Sequence, residues 1–312
     1  MKVADALTVH GIDEKAVKQY GISSIQLMEN AGRGVAGIVK AELAHCCCKK
    51  PVAAIFAGKG NNGGDGYVAA RHLLNSGIDT VVYALAKTGE LKGDAGANAA
   101  SWTRMGGEVR EILSIEDLES CENPIRRSSV IVDAIFGTGL SSKVEGVHAR
   151  VIEFINSLNK RVVSIDIPSG IDASKGLVLG HAVKASVTAT MAMPKLGLVL
   201  FPGSTYSGTV EIVDIGVPRA LLEDSLIKLN LLTEADVRRV LKPRKIESHK
   251  SAHGHLLVLA GSPGLTGAAY MAGVAAMRAG TGLATLGVPE SLNAIMEVKT
   301  TEVMSLGLPE TK

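Results

Sequence analysis

Apolar and polar positions along the first two thirds of the chain alternate between two spacings. Short continuous apolar runs, typical of buried strands, are separated by segments with an apolar residue every three or four positions, typical of helices. The predicted strands include 80–85, 108–112, 130–134, 162–165, 187–193 and 209–214, after a first strand that begins at Val52. This alternation predicts an α/β domain with a doubly wound, mostly parallel, Rossmann-like sheet and helices on both faces.

The helical spacing is clearest at the start of the chain and between the strands. Two helices are expected between Ile12 and Cys46, and the second begins near Ser23 or Ser24. Further helices are predicted over 94–105, 115–119 and 147–158. Each of these last three helices separates two strands, which is the connection that parallel strands require.

The first strand runs directly into a glycine-rich turn that opens a helix. Gly58, Gly60 and Gly63 have the spacing G-x-G-x-x-G, which lets the backbone turn tightly and approach a pyrophosphate. A strand, glycine loop and helix in this order form an anion-binding unit, because the helix N-terminus presents free N–H groups. The spacing alone is a weak indication of a particular ligand.

Polar residues inside this loop change the interpretation. Asn61 and Asn62 supply amide oxygens, which are neutral ligands suited to a hard cation. The alternative is that the two asparagines only tolerate left-handed backbone angles in a tight turn. Asp65 would be repelled by a phosphate, so we expect it to cap a helix beginning near Gly66 or to accept a hydrogen bond from a sugar hydroxyl.

A second polar loop follows the strand 130–134. Asp133 lies near the end of that strand, and the loop 136–143 contains glycines, hydroxyl groups and Lys143. Such a loop can surround anionic oxygens with backbone N–H groups and add one positive charge. A solvated surface position is the alternative for Lys143.

A third loop, 166–172, leaves the strand 162–165 with Asp166, Ser169 and Asp172. Ligands of open parallel sheets bind beyond the carboxyl ends of the strands. We therefore expect Asn62, Asp133, Asp166 and Ser169 to converge there. Asp172 is interpreted as a turn residue.

A second series of helices and strands is predicted after the first domain, which is expected to end near Pro218. A helix is predicted from Thr233 to Leu241, followed by strands at 256–260 and 283–286 with a helix between them. Two strands and about three helices fit before Lys312, too few to bury both faces of a sheet. The chain is therefore expected to stop inside its second domain.

Three histidines at 249, 253 and 255 lack a carboxylate or cysteine at ligand spacing and are interpreted as a polar loop.

Composition narrows the class of protein. The 312 residues carry a net charge of +2 and only 3% aromatic residues, and no basic stripe favours a nucleic-acid partner. The sequence contains no apolar run of signal-peptide or membrane-span length, so we expect a cytoplasmic protein without a membrane partner. A homo-oligomer is expected. Cys46, Cys47 and Cys48 are interpreted as reduced thiols near a helix end.

Four segments, taken together and in this order, resemble the NAD(P)H-hydrate epimerases, the YjeF N-terminal family. They are LMENAGR at 27–33, GKGNNGGDG at 58–66, VDAIFGTGL at 132–140 and DIPSGID at 166–172. The later stretches AGSPGLTGAA and RAGTGLATL resemble the start of the ADP/ATP-dependent NAD(P)H-hydrate dehydratases, a ribokinase-like family. The resemblance implies an epimerase domain at 1–218, a linker at 219–230 and an incomplete ribokinase-like dehydratase domain at 231–312.

The resemblance implies that the substrate is hydrated NADH or NADPH, whose R and S forms the family interconverts. The implied substrate-binding residues are Asn61, Asn62, Gly63, Gly64, Asp65, Gly137, Thr138, Gly139, Leu140, Ser141, Ser142, Lys143 and Asp166. Potassium would be held by Asn62, Asp133 and Ser169. Asp166 would be the catalytic acid/base, with Lys143 assisting or binding phosphate.

The dehydratase resemblance is incomplete. That family carries its nucleotide site and catalytic aspartate in a later G-T-G-D-type motif, and nothing after Thr281 and Gly282 supplies it. ADP or ATP with Mg²⁺ is therefore expected only for a complete dehydratase domain. We predict that these 312 residues have no dehydratase activity of their own.

Two other functions compete with the epimerase. A non-catalytic nucleotide- or protein-binding module could use the same fold, although it would not need Asp166, Lys143 and Asn62 together. A dehydrogenase is the second alternative. It usually has an acidic residue after its second strand to bind the ribose, whereas here Leu85 is followed by Ala86 and Lys87.

Overall fold

The chain folds into two compact units, Met1–Thr233 and Glu234–Lys312. The computed structural model describes residues 1–44, 50–241 and 243–310. Cys46, Cys47 and Cys48 lie outside the described residues, so the interpretation of these thiols stays a prediction.

The first unit contains a seven-stranded sheet flanked by helices, in the order β3-β2-β1-β4-β5-β6-β7. Its strands are β1 (Val52–Ala57), β2 (Asp79–Ala84), β3 (Glu108–Glu111), β4 (Val130–Ala134), β5 (Val162–Ile165), β6 (Val187–Met191) and β7 (Thr209–Val213). Its helices are α1 (Ala6–Tyr20), α2 (Ser24–Ala44), α3 (Asn61–Asn75), α4 (Gly93–Arg104), α5 (Ile115–Arg127), α6 (Gly146–Ser157), α7 (Leu196–Val199) and α8 (Arg219–Leu222). The expected Rossmann-like α/β fold is confirmed, and every pairing in this sheet is parallel.

The central strands β1, β4, β5 and β6 are buried on both faces, which explains why they are nearly continuous apolar runs. Side chains of neighbouring positions point to opposite faces. Ile55 of β1 therefore packs into one apolar cluster, together with Val35 of α2. Phe56 packs into the other cluster, together with Ile152 of α6. The two clusters hold the central strands rigidly, so the loops at their carboxyl ends start from fixed positions.

Three helices begin or end well away from the predicted residues. Helix α1 starts at Ala6, six residues before Ile12. Helix α3 starts at Asn61, with Gly60 as its N-cap, and not near Gly66. Helix α5 starts at Ile115 as predicted, where a capping box of Ser114 and Asp117 secures its first turn, but it continues to Arg127 instead of ending near Glu119.

Residues 219–230, the predicted linker, are part of the first unit and pack against its core. Leu221 of α8 and Ile227 are buried in the first apolar cluster. The N–H of Val3 donates to the carbonyl of Leu229 (3.2 Å), and the N–H of Leu231 donates to the carbonyl of Met1 (2.8 Å). The start of the chain is thereby tied to residues near the end of this unit.

The second unit contains three parallel strands in the order β10-β9-β8. They are β8 (His255–Leu259), β9 (Leu283–Pro289) and β10 (Met304–Leu308), and the helices are α9 (Glu234–Val240), α10 (Thr266–Ala279) and α11 (Glu290–Lys299). The predicted total of two strands is therefore wrong. The sequence of β10, MSLGL, contains a glycine and only three strongly apolar residues, which gave no strand signal.

No helix in the described part of the chain is long and apolar enough to cross a membrane.

Candidate active site

The strand order places a crevice beside β1. The chain proceeds from β1 to β2 and β3 on one side of the sheet, then returns to continue with β4 on the other side. At such a switch point the loops after the two central strands diverge and leave a ligand-binding crevice. The glycine loop follows β1, the loop 135–145 follows β4, and the loop 166–172 follows β5.

Close packing of backbone explains the glycines of the first loop. The N–H of Gly58 donates to the carbonyl of Ala134 (3.0 Å), so β1 and β4 stay paired into the loop. A Cβ on Gly58 would lie 2.0 Å from the carbonyl oxygen of Ile135. A Cβ on Gly63 would lie 2.0 Å from the carbonyl oxygen of Gly58. Both distances exclude a side chain at these two positions.

Asn62 links the first loop to the second. Its side chain is buried, and its amide nitrogen has no hydrogen-bond partner among the described residues. Its amide oxygen lies 3.2 Å from the position that a Cβ of Gly137 would occupy. The neighbouring Asn61 is exposed at the N-terminus of α3. The two asparagines therefore have different environments, and only Asn62 points into the protein.

Asp133 lies at the end of β4 and is fully buried. Its carboxylate accepts hydrogen bonds from the hydroxyl groups of Ser164 (2.8 Å) and Ser169 (2.5 Å) and from the N–H of Ser169 (2.8 Å). Burial raises the pKa of Asp133, and the bonds from Ser169 and Ser164 oppose this rise. The hydroxyl of Ser169 also accepts the N–H of Phe136 (2.8 Å). Asp133 and Ser169 are thus joined beside the start of the second loop.

Asp166 follows β5 in a left-handed backbone conformation, with φ of 67°. Its N–H donates to the carbonyl of Ala189 (2.7 Å), which fixes the residue against β6. Its carboxylate forms an ion pair with the ammonium of Lys195. Lys195 has no exposed side-chain surface, whereas Asp166 keeps 13% of its side chain exposed. Asp166 can therefore meet a ligand while Lys195 lies behind it.

Lys195 is the residue that the sequence analysis missed. Its ammonium also donates to the hydroxyl of Thr190 (3.0 Å) and to the carbonyl of Met191 (2.8 Å). The only signal in the sequence is a lysine directly after a buried strand, and most such lysines are solvated. Lys195 and Asp166 are 29 positions apart in the sequence, so no local pattern predicts that they form a pair.

Asp65 lies in the second turn of α3, so the prediction that it caps a helix is wrong. It is partly buried, and its pKa is raised well above its ordinary value. Burial is the largest cause, the negative charges of Asp166 and Asp13 add to it, and the positive charge of Lys195 opposes it. Asp13, on α1, is a second residue that the sequence analysis missed, because nothing in its helical surroundings distinguishes it.

The loop after β4 is more exposed to solvent than the glycine loop after β1. Gly137 and Thr138 are partly exposed, and Gly139 and residues 141–143 are exposed. Lys143 is therefore accessible to a ligand, and its binding role stays a prediction.

The third loop contains a turn in which Asp172 accepts the N–H groups of Ser174 (2.8 Å) and Lys175 (2.9 Å), as predicted.

The segment 27–33 belongs to α2, which packs against α3. Glu29 of α2 forms an ion pair with Arg71 and a hydrogen bond with His72 (2.8 Å), both on α3, the helix that the glycine loop opens. Asn30 instead donates to the carbonyl of Ile215 (2.9 Å). Of the two residues, Glu29 therefore contacts the helix that follows the glycine loop.

A family model described as YjeF-related protein N-terminus matches residues 24–197, more than half of the chain. This match includes the three loops and Lys195. The chain belongs to the YjeF-related N-terminal family. The resemblance inferred from the four sequence segments is thereby confirmed.

Relatives with assigned names support this membership. The chain is 40% identical over 311 residues to a protein of Moorella thermoacetica named bifunctional NAD(P)H-hydrate repair enzyme Nnr. The aligned region covers 100% of this chain but only 58% of the length of that relative. A protein of Pirellula staleyi named NAD(P)H-hydrate epimerase is 38% identical over 213 residues, which is 68% of this chain and 92% of that protein.

A solved structure agrees with the fold. The crystal structure of a yeast protein aligns with a TM-score of 0.59 and 25% identity, covering 68% of this chain and 87% of the yeast chain. The YjeF-related fold of the first unit is therefore shared with an experimentally determined structure.

Proposed function

We propose that the first unit is an NAD(P)H-hydrate epimerase, an isomerase that interconverts the R and S forms of hydrated NADH and NADPH. The observation that supports it most is Asp166, a partly exposed carboxylate held by a buried lysine at the switch-point crevice. The Pirellula staleyi relative, which the chain covers almost completely, carries the name of that activity.

The chemistry of the reaction fits the residues. The hydrated ring has one carbon bonded to both a hydroxyl and the ring nitrogen. Loss of the hydroxyl leaves an iminium-like cation, and return of water to either face gives either epimer. Acid/base groups and a nearby negative charge assist both steps. Asp166 is the proposed acid/base at the reacting carbon, and Lys143 binds phosphate or assists.

The remaining contacts would hold the nucleotide. The N-terminus of α3 has no side-chain cap at Gly60 and presents backbone N–H groups to the crevice. The loop residues 137–143 would surround the substrate from the opposite side. In this arrangement the residues implied by the family resemblance, 61–65 and 137–143, face one ligand from two adjacent loops.

Potassium fits the donor set beside the substrate loops. Asn62 supplies an amide oxygen, Asp133 a carboxylate and Ser169 a hydroxyl, and hard cations prefer such oxygen ligands. The amide nitrogen of buried Asn62 has no hydrogen-bond partner among the described residues, and as a donor it would meet an oxygen of the substrate, while the amide oxygen is the atom that would ligate potassium. A bound potassium ion would supply positive charge next to Asp133 and order the loops, a structural contribution.

Potassium should raise the thermal stability of the chain. A ligand at 10 to 100 times its dissociation constant stabilises the folded state by about 1.4–2.7 kcal/mol. We expect KCl to raise Tm by about 3–8 °C over choline chloride at equal ionic strength. Asn62→Ala should abolish this difference, whereas the exposed neighbour Asn61→Ala should keep it. Equal melting of the wild-type protein in both salts would rule out the potassium site.

The direct test of the proposed function is the rate at which the wild-type chain equilibrates purified R and S hydrates of NADH. Rapid equilibration would support the epimerase. Its absence in a folded protein that still binds the nucleotide would favour the binding module. Hydride transfer with added NAD would favour the dehydrogenase.

Dehydratase activity should be absent from this polypeptide. The chain spans 58% of the length of the bifunctional Moorella thermoacetica relative, and the second unit has three strands and no G-T-G-D-type motif. We expect no ATP- or ADP-dependent conversion of the S hydrate to NADH, measured as the return of absorbance of the reduced ring. Conversion that requires nucleotide and Mg²⁺ would contradict this prediction.

A further inference from the structure

Two strained turns lie side by side at the carboxyl ends of the neighbouring strands β5 and β6. Their central residues are Asp166, with φ of 67°, and Ala192, with φ of 61°. In each turn the N–H of the next residue donates to the carbonyl of the previous residue, at 2.8 Å around Asp166 and 2.6 Å around Ala192. A positive φ closed by this bond is the pattern of the rarer, strained form of the γ-turn. Such strain persists only where the surrounding structure holds it.

The buried ammonium of Lys195 connects the two turns. It donates to Oδ1 of Asp166 in the first turn and to the carbonyl of Met191 (2.8 Å), the carbonyl that closes the second turn. Its third bond goes to the hydroxyl of Thr190 (3.0 Å). A buried charge is costly unless it is paired and hydrogen-bonded, and Asp166 is the only anion among these three partners. The lysine therefore holds both strained turns through one charged group.

The backbone of Lys195 is fixed by the start of the chain. The N–H of Ala4 donates to the carbonyl of Pro194 (3.2 Å), and the N–H of Leu196 donates to the carbonyl of Ala4 (2.9 Å). These two bonds lie on both sides of Lys195. The ammonium therefore reaches the two turns from a backbone that is itself held in place.

The two carboxylate oxygens of Asp166 differ in their surroundings. Oδ1 accepts hydrogen bonds from the ammonium of Lys195 and from the N–H of Met191 (3.3 Å). Among the residues that the structure describes, none donates a hydrogen bond to Oδ2, and 13% of the side chain is exposed. Oδ2 is therefore the oxygen that is free to meet a ligand in the crevice.

We propose that Lys195 is a positioning residue: by holding Oδ1 of Asp166 and both strained turns, it aims Oδ2 at the reacting carbon of the substrate. This inference deepens the proposed epimerase function and rests on it. Lys195 acts through Asp166 and does not contact the substrate, because its side chain has no exposed surface. The carboxylate is thereby ordered before the substrate binds. This order matters for the rate, because a misplacement of about 1 Å can cost about 10²-fold.

The test is a double-mutant cycle on kcat with Lys195→Met and Asp166→Asn, measured on the full chain with the R and S hydrates of NADH. Lys195→Met alone should lower kcat by about 10²-fold and change KM by less than about threefold. In the Asp166→Asn background the same substitution should lower kcat by less than about threefold, because the group that the lysine positions is already lost. A lysine that only stabilised the fold would lower kcat by the same factor in both backgrounds.

Matched variants complete the experiment. Lys184→Met removes an exposed lysine shortly before β6 and should leave kcat unchanged. Thr190→Val removes the hydroxyl that accepts from the ammonium of Lys195 and should lower kcat by about 3- to 10-fold. Thr190→Ser keeps that hydroxyl and should cause a smaller loss than Thr190→Val. Should Lys195→Met not fold, Thr190→Val takes its place in the cycle.

The outcomes separate the two proposals. An active wild-type protein whose Lys195→Met variant folds and keeps its kcat would overturn the positioning role and leave the epimerase standing. Equal losses in the wild-type and Asp166→Asn backgrounds would do the same. A folded wild-type protein that does not equilibrate the hydrates would refute the epimerase itself, and the positioning role with it, before any variant is compared.

Discussion

Replacing Asp166 with asparagine should slow the interconversion of the R and S hydrates of NADH by about 10² to 10⁴-fold. The variant keeps the size of the side chain but removes the negative charge that faces the crevice and pairs with Lys195. The loss should appear in kcat more than in KM, because the cation forms only as the hydroxyl leaves. Stopped assays that resolve the two epimers by chromatography give the rate.

A control in the same loop separates chemistry from folding. Asp172→Asn should keep near wild-type activity, because asparagine can accept the same turn bonds from the N–H groups of Ser174 and Lys175. The folding of Asp166→Asn must be checked as well, because the substitution leaves the buried ammonium of Lys195 without its anionic partner and so destabilises the protein. A folded Asp166→Asn protein with unchanged kcat would remove Asp166 from the mechanism.

Gly63→Ala should destabilise the first unit by about 2–4 kcal/mol and abolish epimerase activity. The added Cβ would lie 2.0 Å from the carbonyl oxygen of Gly58. Neither atom belongs to a flexible side chain, so α3 must move away from the end of β1. That movement would displace Asn62 and Asp65, which lie in the first two turns of the same helix. Denaturant unfolding gives the change in stability from the midpoint at an unchanged m-value.

Gly60→Ala is the matched control for this prediction. Gly60 belongs to the same loop, has φ of −95°, and would meet no atom within 4 Å of its Cβ. Its substitution should change stability by less than about 1 kcal/mol, since the poorer N-cap is partly offset by a less flexible unfolded chain. Equal effects of the two substitutions would show that backbone contact does not determine the glycine at position 63.

The two predictions concern different parts of one arrangement. Asp166 depends on Lys195 and on the segment that begins the chain, whereas Asn62 and Asp65 depend on the glycine loop. Both sets meet at the switch point because β1, β4 and β5 are neighbours in the sheet. A change in either set should therefore impair the same site through a different contact.

The sequence by itself determined the fold class of the first unit and the three loops that carry its polar residues. Buried parallel strands must be apolar on both faces, so runs such as 130–134 and 162–165 were recognised with the bounds that the structure has. The glycine spacing is equally local, because a tight turn restricts the residues that form it. The resemblance to the family was also carried by short contiguous segments.

The tertiary structure decided which charged groups face one another. Lys195 reaches Asp166 across 29 residues, and the backbone pairing of Ala4 with Lys195 connects the start of α1, the helix that carries Asp13, to the same segment. Neither residue differs in the sequence from a surface charge. Local spacing determines helices, strands and turns, because these depend on neighbouring residues. The charge of a buried group depends on desolvation and on partners distant in the chain, which only the folded structure brings together.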